Sequence, residues 1–125
     1  IANALINMGN SSVLALGNHP VGTVWKVSFD DQASTTKNHK TQSILLNNEC
    51  LTTSGNNSDD RKHIISPSSG KPLEGVRQVT VVTDDGTTGE ILSTSLFVAN
   101  QKQRELIMSE FLPKRVIDLE LCQMV

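Results

Sequence analysis

Tyrosine is absent from this 125-residue chain, and the other aromatics are sparse, with one Trp and three Phe. A core with so few rings has to be filled by Val, Leu and Ile. There are only two cysteines, Cys50 and Cys122, far apart and outside any C-x-x-C pair. That excludes a zinc framework and a dithiol redox motif. The formal net charge is −2, which argues against a strong non-specific polyanion binder but leaves room for a local basic patch. No apolar run approaches the roughly 18 residues of a membrane span. The opening Ile1–Ile6 lacks the basic region and long apolar core of a secretory signal. No internal repeat is present. Also missing are H-x-x-x-H, G-x-S-x-G and a phosphate-binding glycine loop. We therefore expect no catalytic residue, no metal ligand, no cofactor and no small-molecule substrate. His19, His39 and His63, with Asp30, Asp31, Asp59 or Asp60, are the raw material for a metal or acid–base site, but their spacing favours none.

The length suits one domain spanning 1–125. Its organising stretch is Thr23 to Asn48. Trp25, Val27 and Phe29 alternate with Lys26, Ser28, Asp30 and Gln32, giving a strand with one apolar and one polar face. Ala33 to Asn38 is a polar turn whose side chains bond to nearby backbone. The return strand, His39 to Asn48, carries Lys40 and Gln42 early and Ile44, Leu45 and Leu46 late. Before this pair, Leu5 and Ile6, the turn Asn7-Met8-Gly9-Asn10, and Val13, Leu14 and Leu16 predict a small hairpin.

Residues 49–75 change character. Thr52 to Asp60 reads as a polar loop with little to bury. Val76 to Val82 is a strand, Asp84 to Gly89 a turn, and Glu90 to Val98 another strand. Asn100 and Gln103 then form a capping-box pattern ahead of Leu106, Ile107, Met108, Phe111 and Leu112 at helical spacing. After Pro113, residues 116–121 predict a second short helix. The expected fold is α+β: an antiparallel meander of about six strands (1–98) followed by two C-terminal helices (99–125). Helices this short leave one flank of the sheet bare. An interlocked dimer, the helices of one chain covering the sheet of the other, would satisfy both elements.

Trp25-Lys26-Val27-Ser28-Phe29, running through Ser34 to Asn38-His39-Lys40, resembles the central strand pair of levivirus coat proteins, the capsid proteins of single-stranded RNA bacteriophages. Leu96-Phe97-Val98-Ala99-Asn100 with Arg104-Glu105-Leu106-Ile107 is similar to that family's last strand and helix pair. The resemblance implies a non-enzymatic structural protein of the virion, assembled in the bacterial host cytoplasm. Its partners would be itself, as a homodimer and an icosahedral shell, and single-stranded RNA. It also implies that Lys26, Ser28, Gln32, Lys40 and Gln42 face RNA, lysines meeting phosphates. Trp25, Val27, Phe29, Leu106, Ile107 and Phe111 would pack the core or dimer interface beneath the helices. Cys50 would be a candidate inter-subunit cross-link. The alternatives are a small dimeric binding module and, ranked lower, a small metal-dependent enzyme.

Overall fold

The computed structural model describes residues 1–9, 11–30, 41–56 and 63–120; the side chains of residues 29, 30, 119 and 120 lie outside that description. The chain forms β1 (Ala4–Asn7), β2 (Ser12–Leu16), β3 (Trp25–Asp30), β4 (Thr41–Leu46), β5 (Glu49–Asn56), β6 (Arg77–Thr83), α1 (Gly86–Val98), α2 (Gln101–Phe111) and β7 (Arg115–Glu120). Strands β1-β2-β5-β6-β7 pair in that order as one antiparallel sheet, and β3 pairs with β4 as a separate ribbon. The α+β class, the two hairpins and the capping box of α2 agree with expectation. The layout does not.

Each side of the five-stranded sheet is covered by this same chain. Side chains alternate along a strand, so β6 sends Val79 and Val81 one way and Val82 the other. Val79 and Val81 join Leu92, Leu96 and Phe97 of α1 in one core, with Ile64 beside them. Val82 joins Val13, Ala15 and Leu51 in a second core, closed by Val27, Ile44 and Leu46 of the ribbon. The Trp25 indole donates to the Leu16 carbonyl at 3.1 Å and Asn47 donates to the Thr23 carbonyl at 3.0 Å, fastening the ribbon down. Val27 and the half-buried Trp25 therefore pack against the sheet face opposite α1, not beneath the helices. The bare flank that motivated an interlocked dimer is filled from within, so the dimer loses its reason.

Three elements differ from the sequence reading. Residues 49–56 form the central strand β5, although five of its eight side chains are Thr, Ser, Gly or Asn. Residues 86–98 are helical: Leu92 and Leu96 are four apart, a spacing that fits both a strand face and a helix face. Gly89 and Ser93 complete the buried side of α1 and blur its apolar stripe. Residues 115–120 are a strand, because Val116 faces the α1 core and Ile117 the ribbon core. A strand covered on both faces is apolar on both, and over six residues that pattern imitates a helix. The helices thus lie at 86–111, inside the sheet's strand order rather than after it.

Asp85 starts α1. Its carboxylate accepts from the Thr88 backbone N–H at 2.8 Å, filling one of the donors a helix start leaves open. That bond, followed by one from the Thr88 hydroxyl, holds the Asp85 carboxyl below the usual carboxylate range. A lowered folded value means the stabilisation is present above the unfolded pKa and is lost as pH falls through the folded one. We expect Asp85→Ala to melt below wild type at neutral pH, with the gap closing as the pH drops under about 4. A gap independent of pH in thermal melts would show that the charge plays no part.

Candidate functional site

A cleft of about 1140 Å³ opens where β5 ends, between the β1–β2 turn, the residues 63–67 and α1. That slightly exceeds the roughly 300–1,000 Å³ of ordinary small-molecule sites. Its wall mixes hydroxyl and amide side chains with aliphatic ones. Glu90, on the first half of α1, contributes the one carboxylate among the described lining residues, with His63 and Arg77 as the other titratable groups.

The polar wall follows from β5 and α1 lying against each other. Ser54 faces α1, and its hydroxyl meets Ser93 Oγ at 2.9 Å and Thr94 Oγ1 at 3.0 Å. Thr94 stands one helical turn after Glu90, so both project from the same side of α1. The Glu90 carboxylate in turn accepts a hydrogen bond from Ser12 Oγ of β2. Ser12, Ser54 and Thr94 thereby carry hydrogen bonding from the sheet to the open side of the helix. Asn56, the last residue of β5, is fully buried and donates from Nδ2 to the Leu73 carbonyl at 3.2 Å. This ties the strand to the segment that brings His63 to the cleft. Arg77 fixes the far end. It pairs with Asp118 through Nε and Nη2 at 3.3 and 3.1 Å, donates from Nη1 to the Phe97 carbonyl at 3.0 Å, and lies over the Phe97 ring. Asp118 also pairs with Arg104.

The oxygen donors Glu90, Ser12 and Thr94 are of the type that hard cations prefer. Among the described residues no group of three His, Cys, Asp or Glu converges on one point. The chemistry available is a carboxylate that accepts protons or cations, an imidazole able to give and take a proton, and many neutral donors.

The residues singled out from sequence are scattered. Lys26 and Ser28 are exposed on β3, and Ser28 reaches the cleft rim. Gln42 is half-buried on β4; Gln32 and Lys40 lie outside the described residues. On α2, Ile107 packs against the α1 core while Leu106 and Phe111 remain 61% and 59% exposed. Phe29 is on β3 with its side chain undescribed. Cys50 is free and 5% exposed under the start of α1. Burial, and secondarily the Asp85 charge, push its thiol pKa up, so a cross-link would have to reach an inert, covered sulfur. Cys122 lies outside the described residues. Of the histidines, His19 packs edge-on against Trp25 and accepts from the Val21 N–H; His39 with Asp31, Asp59 and Asp60 lies outside the description. Of the described histidines, only His63 reaches the cleft. Glu90, Thr94, Ser54 and Asn56 were missed. Their one signal was a polar run at 52–56 that, as a strand, had to bury polar side chains.

Residues 1–115 match the family model described as the ApbE family. The chain belongs to the ApbE family. The flavin transferase ApbE from Vibrio cholerae superposes with a TM-score of 0.79 at 21% identity, covering 95% of this chain and 39% of that one. The ApbE protein from Thermotoga maritima superposes with a TM-score of 0.75 at 23% identity, covering 94% and 40%. The apo flavinyl transferase ApbE from Pseudomonas stutzeri gives 0.67 at 19%, covering 94% and 42%. These likenesses establish the fold, and the chain spans about two fifths of the length of the solved relatives. No curated protein sequence matches significantly.

ApbE membership overturns the levivirus reading. The shell, the virion location and the RNA partner all rested on it and are withdrawn. The exclusion of an enzyme and of a small-molecule substrate falls too, since solved ApbE proteins are flavin transferases. Asn7 of β1, Ser12 of β2, Ser54 and Asn56 of β5 and Thr94 of α1 line the cleft together although they are scattered along the chain. No short motif records such a site.

Proposed function

We propose that this chain forms flavin-handling structure of an ApbE-type flavin transferase, with the cleft beneath α1 as the place where a flavin nucleotide sits. The observation that carries it is the family match over residues 1–115 combined with the position of the cleft. The most polar part of the buried interior, between β5 and α1, opens directly into a space large enough for a dinucleotide. Hydroxyls and amides offer neutral donors and acceptors for ring edges and ribose, and the His63 imidazole is of a type that can donate to phosphate. Glu90 is the group to accept a proton from an attacking hydroxyl or to hold a cation against phosphate.

FAD is the probe. Titrating the protein into FAD should quench or polarise flavin fluorescence with a micromolar midpoint, and unlabelled ADP or FMN should compete. No change in FAD fluorescence up to millimolar protein would sink the proposal.

A further inference from the structure

Asn56 is fully buried, yet it belongs to the wall of the cleft. Its Nδ2 is held by the Leu73 carbonyl, and that bond orients the amide, because turning it over would set two oxygens face to face. In this orientation Oδ1 has no hydrogen-bond partner. Buried polar atoms are nearly always satisfied, and an exception calls for a cause. Ser54, two residues earlier on the same face of β5, has two partners. The other orphan, Thr52 Oγ1, sits under Gly89 of α1 and not on the cleft wall. Asn56 differs in being one of the residues that line the cleft, its Oδ1 buried just behind that wall. Around the cleft stand His63 and Ile65 from the loop, and Ser95 and Val98 from α1. An acceptor in a cleft that also has aliphatic lining suits the edge of a flat heterocycle better than a phosphate, which an amide oxygen would repel.

We propose that Asn56 Oδ1 is a specificity-determining acceptor for a ring N–H of the flavin nucleotide, either the imide N–H of the isoalloxazine or the exocyclic amine of the adenine. The assignment rests on the flavin reading above and deepens it. An oriented acceptor whose other end is already engaged rejects a ring that presents a carbonyl or a methyl group at that point, since the acceptor then stays unpaired.

The test measures the affinity of wild type and Asn56→Ala for FAD, FMN and ADP, each against that protein's own ligand-free state. Loss of about tenfold for FAD and FMN, with ADP unchanged, identifies the isoalloxazine imide; the same loss for FAD and ADP, with FMN unchanged, identifies the adenine amine. Equal affinities of both proteins for all three ligands overturn the assignment while leaving the flavin reading standing. Wild type that binds none of them overturns both. If Asn56→Ala does not fold, wild type decides. FMN methylated on the imide nitrogen, or ADP dimethylated on the amine, should bind at least tenfold more weakly than its parent, and parity in both pairs overturns the assignment.

Discussion

On the flavin-transferase reading proposed above, Glu90→Gln is expected to slow flavin transfer from FAD by about 10²–10⁴-fold and to leave the melting temperature within a degree or two of wild type. Glutamine keeps the shape and keeps an acceptor for Ser12 Oγ, so the contact between β2 and α1 survives. What disappears is the one carboxylate charge on the described wall of the cleft. The side chain is exposed, so little stability depends on it. The kinetics separate its two roles. A lower kcat with unchanged KM identifies a proton acceptor that acts only in the transition state. A raised KM that added divalent cation restores identifies a cation ligand. A variant with wild-type rate and wild-type FAD affinity would reduce Glu90 to a solvated residue on a helix.

Gly89→Val is expected to lower the unfolding free energy by about 3 kcal/mol and the melting temperature by roughly 10 °C or more. The cause is space. A Cβ on Gly89 would run into Thr52 Oγ1, 3.0 Å from Thr83 Oγ1 and 3.1 Å from Thr52 Cβ. Thr52 is fully buried, and Thr83 is held by the Asp85 carbonyl at 2.7 Å, so neither can move aside freely. Glycine in a helix is costly by about 1 kcal/mol relative to alanine; a β-branched residue recovers only part of that. Its presence on the buried side of α1 lets helix and β5 approach closely enough for Ser54 to reach Ser93 and Thr94. The mechanism is checked by Gly89→Ala with and without Thr52→Ala. The second change should relieve the first, giving a coupling of about 1 kcal/mol in a double-mutant cycle. Strict additivity, or a Gly89→Val protein that melts like wild type, would mean that α1 does not sit so tightly.

Strands with one covered face were legible in the sequence. Trp25 to Phe29 alternates as a pleat requires and turn residues mark where the hairpins reverse, while β6, buried on both faces, was legible from its run of β-branched Val79, Thr80, Val81 and Val82. The capping box of α2 was also legible, because it is a local bargain between Asn100 and Gln103. Elements whose neighbours decide their state were not. β5 is polar because Ser54 bonds Ser93 and Thr94 of α1 and Asn56 bonds the Leu73 carbonyl, so no apolar period announces it. α1 hides behind Gly89 and Ser93, chosen for closeness to the sheet rather than for apolarity. β7 reads as a helix because it is wedged between two cores. The site was illegible for the same reason as β5: Ser12, Ser54, Asn56, His63 and Glu90 are separated in the chain and meet only after the sheet has formed. Sequence regularity reports the parts that bury apolar surface; the polar cleft wall departs from it.

Hydroxyl chains have a direction, and the one beneath α1 has two. Each hydroxyl has a single proton to give. If Ser93 gives its proton to the Glu90 carbonyl at 3.4 Å, Ser54 must point at Ser93 and Thr94 at Ser54, and Thr94 meets the cleft with bare lone pairs. If Ser93 turns to Ser54 instead, Ser54 turns to Thr94, and the Thr94 proton is released towards the cleft. Reversal forfeits only the long bond to the Glu90 carbonyl. The same three side chains can thus address an incoming ligand atom as acceptor or as donor, and the polarity of that patch is settled by what arrives.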